Sequence, residues 1–259
     1  MAVEESRHKT GDISVRLRRD GEGERLLFLH GAGGWPAWGP FFASLAGRYD
    51  VLLPEHPGFG LSDNPSSIRN VGDVAMYYLD FIDALDGPAV HLIGHSLGGW
   101  IAAEMAVRNT SRLKSLTLIA PAGVRVKGLV CGDNFIWSRE EYFRNLIYDQ
   151  ALAEQEIARV PTDEEADIEL TNRYMATKLG WEPRWFNPSL EPWLHRIRIP
   201  TLVLWGRDDK LFPSDYAKAW SARIPDIRVE IIPECGHRPQ IEKPDVAAEK
   251  VLAFLGGRT

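Results

Sequence analysis

Short apolar segments recur along the chain and alternate with longer segments whose apolar residues have helical spacing. The apolar segments predict buried strands at residues 26–29, 49–53, 89–93, 116–119, 201–205 and 229–232. The periodic segments predict helices at residues 38–46, 70–85, 100–107, 214–222 and 246–255. An alternating stretch at residues 13–17 predicts one further strand, half exposed. Because strands separated by helices form a parallel sheet with helices on both faces, the pattern predicts an α/β fold.

This alternation stops between residues 121 and 198. Segments 138–141 and 162–165 have the composition of capping boxes, each of which opens a helix. In open α/β sheets, ligands bind beyond the carboxyl ends of the strands, and we expect the insertion to cover that edge. The chain is therefore predicted to have a core formed by residues 1–120 and 199–259, with a helical lid formed by residues 121–198.

Residues 94–99, Gly-His-Ser-Leu-Gly-Gly, lie between a predicted strand and a predicted helix. A Gly-x-Ser-x-Gly turn in that context forms a nucleophile elbow, in which a strained serine projects above the sheet at the amino end of the helix. Small residues on either side let the strand and the helix approach closely. Ser96 is therefore the candidate nucleophile, and the backbone N–H of Leu97 is placed to face a developing oxyanion.

A second glycine-rich loop, His-Gly-Ala-Gly-Gly at residues 30–34, follows the predicted strand at 26–29. It lacks the Gly-Lys-Ser/Thr of a phosphate-binding loop, and Pro36 occupies the position of the last glycine of a dinucleotide fingerprint. We expect this loop to supply the second oxyanion N–H, from Ala32 or, as the fallback, from Gly33. A plain glycine turn is the alternative.

A serine nucleophile needs a base, and the base needs an acid, each on a loop that follows a strand. Only His195 and His237 lie beyond the elbow region. His195 precedes a predicted strand and would lie at the wrong edge of the sheet, whereas His237 follows the last strand at the correct edge. For the acid, Asp208 and Asp209 both follow the preceding strand, only one of them can face His237, and Asp133 is a third option.

Two more polar residues lie near these loops. His56, in the loop at residues 54–60, either lines the site or is a surface histidine, and its position in a loop favours the surface. Cys235, two residues before the candidate base, is expected to be a small buried structural residue and not a reactive thiol.

Composition excludes several classes of function. The 259 residues carry a net charge of -6, which gives no electrostatic basis for binding nucleic acid. Residues 1–12 lack the apolar centre of a secretory signal, and no apolar run reaches the roughly 20 residues of a membrane helix. Cys131 and Cys235 form neither a metal-binding spacing nor a disulfide framework, which suits a reducing cytoplasm. We expect a cytoplasmic monomer or homodimer that acts on a small-molecule acyl or ester substrate without a cofactor or a metal.

Several loop motifs are shared with one known family. They are Leu-His-Gly at 29–31, Pro-Gly-Phe-Gly at 57–60, Gly-His-Ser-Leu-Gly-Gly at 94–99, Leu-Trp-Gly-Arg-Asp-Asp at 204–209 and Gly-His at 236–237. In these motifs the chain resembles the α/β-hydrolases, in particular the lidded branch of carboxylesterases and meta-cleavage-product hydrolases. The resemblance covers nearly all of the predicted core. It implies that Asp209, the third residue after the glycine ending its strand, is the acid, and that Ala32 supplies the second oxyanion N–H.

Two departures from the family pattern bear on the activity. The carbon–carbon hydrolases usually have a longer glycine-rich loop than residues 30–34, and they tend to carry Trp after the catalytic His, where this chain has Arg238. The resemblance therefore favours hydrolysis of a carboxylic ester or related acyl substrate through an acyl-enzyme, with a triad of Ser96, Asp209 and His237. Carbon–carbon bond hydrolysis of a vinylogous diketone by the same triad is the alternative. The haloalkane dehalogenases and epoxide hydrolases are disfavoured because their nucleophile is Asp, and a non-catalytic binding protein on this fold is the alternative from another class.

The predicted lid is rich in aromatic residues. Its underside would face the site, and apolar side chains there would bind the acyl or leaving group. The candidate substrate-binding residues are Trp137, Trp181 and Trp185, together with Arg238 from the core, and Trp193 is a further lid tryptophan. Packing within the lid is the alternative for any single one. The lid is thus expected to set substrate choice without supplying the chemistry.

Overall fold

The computed structural model describes residues 3–257, so the outermost two residues of the predicted core at each end lie outside the described part of the chain. Its strands are β1 (Glu4–Thr10), β2 (Ile13–Asp20), β3 (Arg25–Leu29), β4 (Asp50–Pro54), β5 (Val90–His95), β6 (Leu113–Ile119), β7 (Thr201–Gly206) and β8 (Ile227–Ile232). They form one sheet in the order β1-β2-β4-β3-β5-β6-β7-β8. Neighbours are antiparallel at β1–β2 and β2–β4 and parallel from β4 through β8. The predicted, mostly parallel sheet is confirmed.

Helices connect the parallel strands, and two more follow the last strand. They are α1 (Pro40–Ala46), α2 (Val71–Ala84), α3 (Leu97–Arg108), α4 (Arg139–Leu146), α5 (Gln150–Ala158), α6 (Asp163–Gly180), α7 (Ala217–Ser221), α8 (Pro239–Glu242) and α9 (Pro244–Gly256). Short 3₁₀ turns at Glu191–Arg196 and Ser214–Tyr216 precede β7 and α7. No helix in the described part of the chain combines the length and the apolar character needed to cross a lipid bilayer.

Both faces of the sheet are covered by helices, as the pattern predicts. Successive side chains of a strand point to opposite faces, and β3 divides its residues between two separate cores. Leu26 and Phe28 pack with the apolar faces of α1 and α9. Leu27 and Leu29 belong to the larger core, to which α2 and α3 contribute. The sheet is therefore the middle layer of three.

Strand β1 was not predicted from the sequence. Of its seven residues only Thr10 is buried, and the others are polar side chains at the edge of the sheet. Its pairing with β2, from Glu4 opposite Arg19 to Thr10 opposite Ile13, depends on backbone groups. A strand that buries almost nothing leaves no apolar pattern to detect.

Residues 121–198, called the insertion below, lie between β6 and β7 and contain α4, α5 and α6. Both predicted capping boxes are confirmed, because Ser138 and Thr162 each accept a hydrogen bond from the N–H three residues later and the reciprocal bonds are present. The insertion reaches the loops at the carboxyl ends of the strands. The carbonyl of Leu146 accepts a bond from the N–H of His237 at 2.8 Å, and the amide of Asn172 lies 3.4 Å from the carbonyl of Gly33.

Candidate active site

Ser96 lies on a sharp turn between β5 and α3, with φ 54° and ψ -113°. This backbone conformation is unusual for a residue with a side chain and is typical of a strained functional position. Close contact around the turn requires glycines, because a Cβ on Gly94 would overlap the carbonyl of Gly98, and a Cβ on Gly98 would overlap that of Leu29. The sequence therefore makes the strand, turn and helix that the elbow motif predicts.

The structure brings Ser96, His237 and Asp209 together. His237 Nε2 lies 2.9 Å from Ser96 Oγ, and His237 Nδ1 lies 2.7 Å from Asp209 Oδ2. All three residues are buried, at 7%, 3% and 4% exposure respectively. Because a carboxylate only accepts hydrogen bonds, Nδ1 carries the proton and Nε2 is left to accept the proton of Ser96. This geometry can transfer a proton from the serine to the imidazole.

Asp209 is held by donors on all sides. Its Oδ1 accepts the N–H groups of Leu211 and Phe212 at 2.8 and 3.0 Å, and its Oδ2 also accepts the indole N–H of Trp205 at 3.0 Å. These bonds fix the carboxylate against Nδ1 of His237, where it can stabilise an imidazolium. The neighbouring Asp208 contributes only its backbone N–H, to the carbonyl of Cys235.

The other sequence candidates for acid and base lie elsewhere. Asp133 forms an ion pair with Arg184 within the insertion, at 3.0 Å. His195 lies in an exposed 3₁₀ turn before β7, and its Nδ1 contacts the carbonyl of Pro192 at 2.9 Å. Neither side chain reaches Ser96, as expected for His195 from its place in the chain.

Two residues that sequence reasoning did not single out hold the loop of His237. The Nε2–H of His95 donates to the carbonyl of His237 at 2.9 Å, and burial lowers the pKa of His95 well below its usual value, which keeps its ring neutral. The carboxylate of Glu242 accepts the N–H groups of Gly236 and Arg238 at 3.0 to 3.1 Å. His95 follows from the elbow motif, whereas no sequence signal marks Glu242.

Glu242 also joins the insertion to this loop. Its carboxylate accepts the N–H of Tyr148, just beyond α4, at 2.7 Å. Together with the bond from His237 N–H to the carbonyl of Leu146, this contact fixes the end of α4 against the base. The insertion thus supports the backbone around His237 while its side chains stay out of the triad.

The glycine loop after β3 lies beside the serine. A Cβ placed on Gly31 would lie 3.4 Å from the Cβ of Ser96. The loop closes as a turn in which Gly34 N–H donates to the carbonyl of Gly31 at 3.1 Å. Within residues 3–257, neither the N–H of Ala32 nor that of Leu97 has a hydrogen-bond acceptor. Two unsatisfied donors next to a serine suit an oxyanion.

The expectation that His56 is a surface histidine is wrong. His56 is fully buried, and its ring stacks on that of His30 with centroids 3.7 Å apart. Its ring nitrogens contact the hydroxyl of Tyr78 and the carbonyl of His30, at 2.7 and 2.8 Å. The loop that carries His56 folds under the end of β3, where buried polar groups require partners.

A cavity of about 350 Å³ adjoins the glycine loop beneath the insertion. It reaches the candidate site at Ala32 and Arg238, and Trp137 and Trp185 also line it, as predicted. The structure does not place Trp181 in the cavity. Trp181 is 47% exposed, and its ring lies against the guanidinium of Arg184 and the ring of Phe135. Of the four predicted substrate-binding residues, Trp137, Trp185 and Arg238 therefore line the cavity and Trp181 does not.

Trp193 is likewise outside the cavity, at 54% exposure in the 3₁₀ turn that leads to β7. The four tryptophans lie in loops, at the end of α6 and in a 3₁₀ turn, where neither composition nor helical spacing gives the direction of a side chain.

Charged residues share the cavity wall with the aromatic ones. Arg139 is paired with Glu169 at 3.5 Å, and Glu156 also lines the cavity. Arg173 and Arg238 form no ion pair with any residue in the described part of the chain. Three arginines against two glutamates make this a cavity suited to an anionic ligand.

The described residues contain no group of three or more His, Cys, Asp and Glu side chains arranged to bind a metal ion. Both cysteines are free thiols. Cys235 is buried, as predicted, and burial raises the pKa of its thiol.

Known proteins are similar to this chain over most of its length. The model of the alpha/beta hydrolase family matches residues 26–250. A 2-hydroxy-6-oxo-6-phenylhexa-2,4-dienoate hydrolase of Burkholderia cepacia is 29% identical over 94% of this chain and 92% of its own. A 2-hydroxy-6-oxononadienedioate/2-hydroxy-6-oxononatrienedioate hydrolase of Comamonas testosteroni is 28% identical, over 94% and 92%.

Among solved structures, a bacterial membrane phospholipase A is 27% identical, with a TM-score of 0.81 over 98% of this chain and 86% of that one. The resemblance inferred from the loop motifs is confirmed, because the family model extends over most of the sequence and the fold is shared. This chain belongs to the alpha/beta hydrolase family.

Proposed function

We propose that this chain is a serine hydrolase that cleaves a carbon–carbon bond next to a ketone in an anionic ring-fission product of the 2-hydroxy-6-oxo-dienoate class. The observation that carries this choice is the pair of arginines in the cavity, Arg173 and Arg238, which have no acidic partner among residues 3–257. A guanidinium binds a carboxylate well, and a dienoate presents one. The relatives from Burkholderia cepacia and Comamonas testosteroni are hydrolases of such compounds.

The proposed reaction begins at the triad. Ser96 Oγ attacks the ketone carbon while His237 Nε2 accepts its proton, and Asp209 stabilises the imidazolium that forms. The negative charge that develops on the ketone oxygen is held by the N–H groups of Ala32 and Leu97.

Collapse of the tetrahedral intermediate breaks the carbon–carbon bond. For this step the substrate must first ketonise: the 2-hydroxyl loses its proton to solvent and C5 gains one, so that C5 is saturated and the remaining double bond is conjugated with the 2-oxo group. The electron pair of the broken bond then passes through that double bond to the 2-oxygen, which takes the proton from His237 and leaves a 2-hydroxydienoate. An acyl group stays on Ser96, and a water molecule activated by His237 then releases it as a carboxylic acid. The carboxylate of the departing fragment lies toward Arg173 and Arg238 in this proposal.

The insertion is proposed to act as a lid that sets substrate choice. It supplies Trp137, Trp185 and Arg173 to the cavity, whereas the proposed nucleophile, base, acid and oxyanion donors all come from loops of the core.

Ester hydrolysis is the second candidate, and the sequence motifs alone favoured it. The similarity to a phospholipase A supports it, as does the loop at residues 30–34, which is shorter than the glycine-rich loop that the carbon–carbon hydrolases usually have. The curated relatives and the arginines of the cavity favour the carbon–carbon reaction over it.

One set of assays separates these functions. Purified enzyme is given 2-hydroxy-6-oxo-6-phenylhexa-2,4-dienoate, followed by loss of its visible absorbance, and an uncharged aryl acetate. We expect a higher kcat/KM for the dienoate. Arg238→Gln should raise KM for the dienoate about 10- to 100-fold, as expected for loss of a charged hydrogen bond, and leave the aryl acetate nearly unchanged. Arg144→Gln, a half-buried position of the insertion outside the cavity whose guanidinium pairs with Glu140 and Glu154, is the control.

A higher kcat/KM for the aryl acetate, with no effect of Arg238→Gln on either substrate, would establish the second candidate. If neither substrate is turned over and Ser96 does not react with a fluorophosphonate, the chain is a binding protein on a hydrolase fold.

A further inference from the structure

The orientation of the Ala32 N–H depends on the carbonyl of Gly31. The two groups belong to one planar trans peptide, in which C=O and N–H point in opposite directions. Whatever holds the Gly31 carbonyl therefore aims the Ala32 N–H. That carbonyl contacts Nδ1 of His30 at 2.7 Å and accepts the N–H of Gly34 at 3.1 Å.

The hydrogen bonds determine where His30 carries its proton. Its Nε2 lies 2.9 Å from the backbone N–H of His56, which can only donate. The Nε2 of His30 is therefore an acceptor, the proton is on Nδ1, and Nδ1–H donates to the carbonyl of Gly31. Burial lowers the pKa of His30 to about 4, so the ring is neutral at neutral pH.

The hydrogen bonds also determine which ring nitrogen of His56 carries its proton. Its Nε2 faces the carbonyl of His30 at 2.8 Å and must donate, so its Nδ1 accepts the hydroxyl proton of Tyr78 at 2.7 Å. Tyr78 is buried on α2, and burial raises the pKa of its hydroxyl well above the usual value. The ring of Phe59 closes the stack, with its centroid 5.2 and 5.5 Å from the two imidazoles.

We propose that His30, His56 and Tyr78 are positioning residues that fix the Gly31–Ala32 peptide with its N–H toward the oxyanion. In this series the hydroxyl of Tyr78 donates to Nδ1 of His56. The Nε2–H and the backbone N–H of His56 donate to the carbonyl and to Nε2 of His30, respectively. The Nδ1–H of His30 then donates to the carbonyl of Gly31. The chain of bonds starts in α2 and ends at the Gly31–Ala32 peptide, beside Ser96. This inference rests on the proposed function, since an oxyanion forms only if Ser96 attacks a carbonyl.

The kinetic test compares two replacements of His30. Asn places an amide N–H near the position of Nδ1, whereas Leu fills space without a donor. We expect His30→Leu to lower kcat for an aryl acetate about 100-fold or more, with KM within threefold, because one oxyanion donor is misaligned. His30→Asn should recover at least tenfold of that loss. The rate of phosphonylation of Ser96 by a fluorophosphonate should change in parallel.

Tyr78→Phe tests the far end of the series with little change in packing. Removal of its hydroxyl should lower kcat up to about tenfold, in line with one lost hydrogen bond. His91→Leu is the control, because His91 is a buried histidine of β5 that bonds Ser115 and Glu24 instead of the glycine loop. If His30→Leu folds and keeps kcat within threefold of the wild type, the inference is wrong.

Nitrogen-15 NMR of the wild-type protein measures the histidine tautomers directly, without an activity assay. His30 should be the Nδ1–H tautomer and His56 the Nε2–H tautomer at neutral pH, and the opposite tautomer at His30 would overturn the inference even if a His30 variant fails to fold. A wild-type chain that turns over neither the dienoate nor the aryl acetate and does not react with a fluorophosphonate refutes the proposed function, and the tautomers then decide the inference alone.

Discussion

The surroundings of Ser96 and the cavity beneath the insertion differ in how their polar groups are satisfied. Around Ser96, the side chains of His237, Asp209 and His95 are buried, and each is held by hydrogen bonds to neighbours in the structure. In the cavity, Arg173 is exposed, Arg238 is half-buried, and neither has an ion-pair partner in the described part of the chain. The side chains of the first region are hydrogen-bonded without a ligand, and only the two oxyanion N–H groups are left open there, whereas the second region offers its charges to a ligand.

The difference indicates which parts of the molecule can vary without loss of fold. A buried, fully bonded group costs free energy to replace, because its partners are left unsatisfied. A half-exposed arginine or tryptophan has no such partners to lose. Single substitutions around Ser96 should therefore lower kcat by large factors, whereas single substitutions in the cavity should change substrate selectivity only modestly. Four experiments test that contrast.

The largest effect is expected at the nucleophile. Ser96→Ala should lower kcat on the order of 10⁶-fold, as loss of the serine does in a well-studied protease. A fluorophosphonate should add once to the native chain and not to the variant, as measured by intact-protein mass spectrometry. Equal labelling of both proteins would place the nucleophile elsewhere.

The next effect separates two neighbouring carboxylates. Asp209→Asn should lower kcat on the order of 10⁴-fold, because the amide favours the wrong tautomer of His237. Asp208→Asn is the matched control and should have far less effect, since only its backbone is engaged near the loop of Cys235. A reversed ranking, with both variants folded, would show that Asp208 is the acid.

A smaller effect concerns stability and pH. The pKa of His30 is about 4 in the folded chain and 6.5 unperturbed, so between these values the unfolded chain alone binds the proton. The free energy of unfolding should fall as the pH drops from 6.5 toward 4, by up to about 3 kcal/mol from His30. Urea unfolding at pH 7.5, 6 and 5 measures this, and His30→Asn should give a shallower slope. Identical slopes would contradict the lowered pKa of His30.

The smallest effect is expected in the cavity. Trp137→Ala should change the ratio of kcat/KM between substrates with small and large acyl groups about tenfold, since a pocket contact of this kind is worth 1–3 kcal/mol at most. Trp193→Ala, outside the cavity, should leave the ratio unchanged. Phosphonylation of Ser96 should be normal in both. A Trp137 variant with the wild-type profile would make the insertion a structural cover.

Local geometry could be predicted where the sequence constrains the backbone. The elbow around Ser96 needs glycines on both sides, and their spacing between a strand and a helix is visible in the sequence. The choice between Asp208 and Asp209 could not be derived from spacing, because adjacent side chains leave a turn in different directions. Only the family resemblance favoured Asp209, whose carboxylate the structure places on His237.

Features that depend on distant packing were missed. His56 is buried because α2 brings Tyr78 against its loop, and nothing near His56 in the sequence shows this. Helices α5 and α8 were not predicted, since α8 is one short turn and α5 buries only Ala153. Trp181 lies outside the cavity although it is as apolar as Trp137.

The contacts between the end of α4 and the base loop have a consequence for evolution. The groups involved are the backbone carbonyl of Leu146, the backbone N–H of Tyr148 and the carboxylate of Glu242. Any amino acid except proline offers that N–H at position 148, whose own side chain is 44% exposed. Substitutions at position 148 can therefore accumulate freely, whereas a single deletion or added residue there would shift both backbone groups and displace His237. Related chains should differ in side chains at this junction and agree in its length.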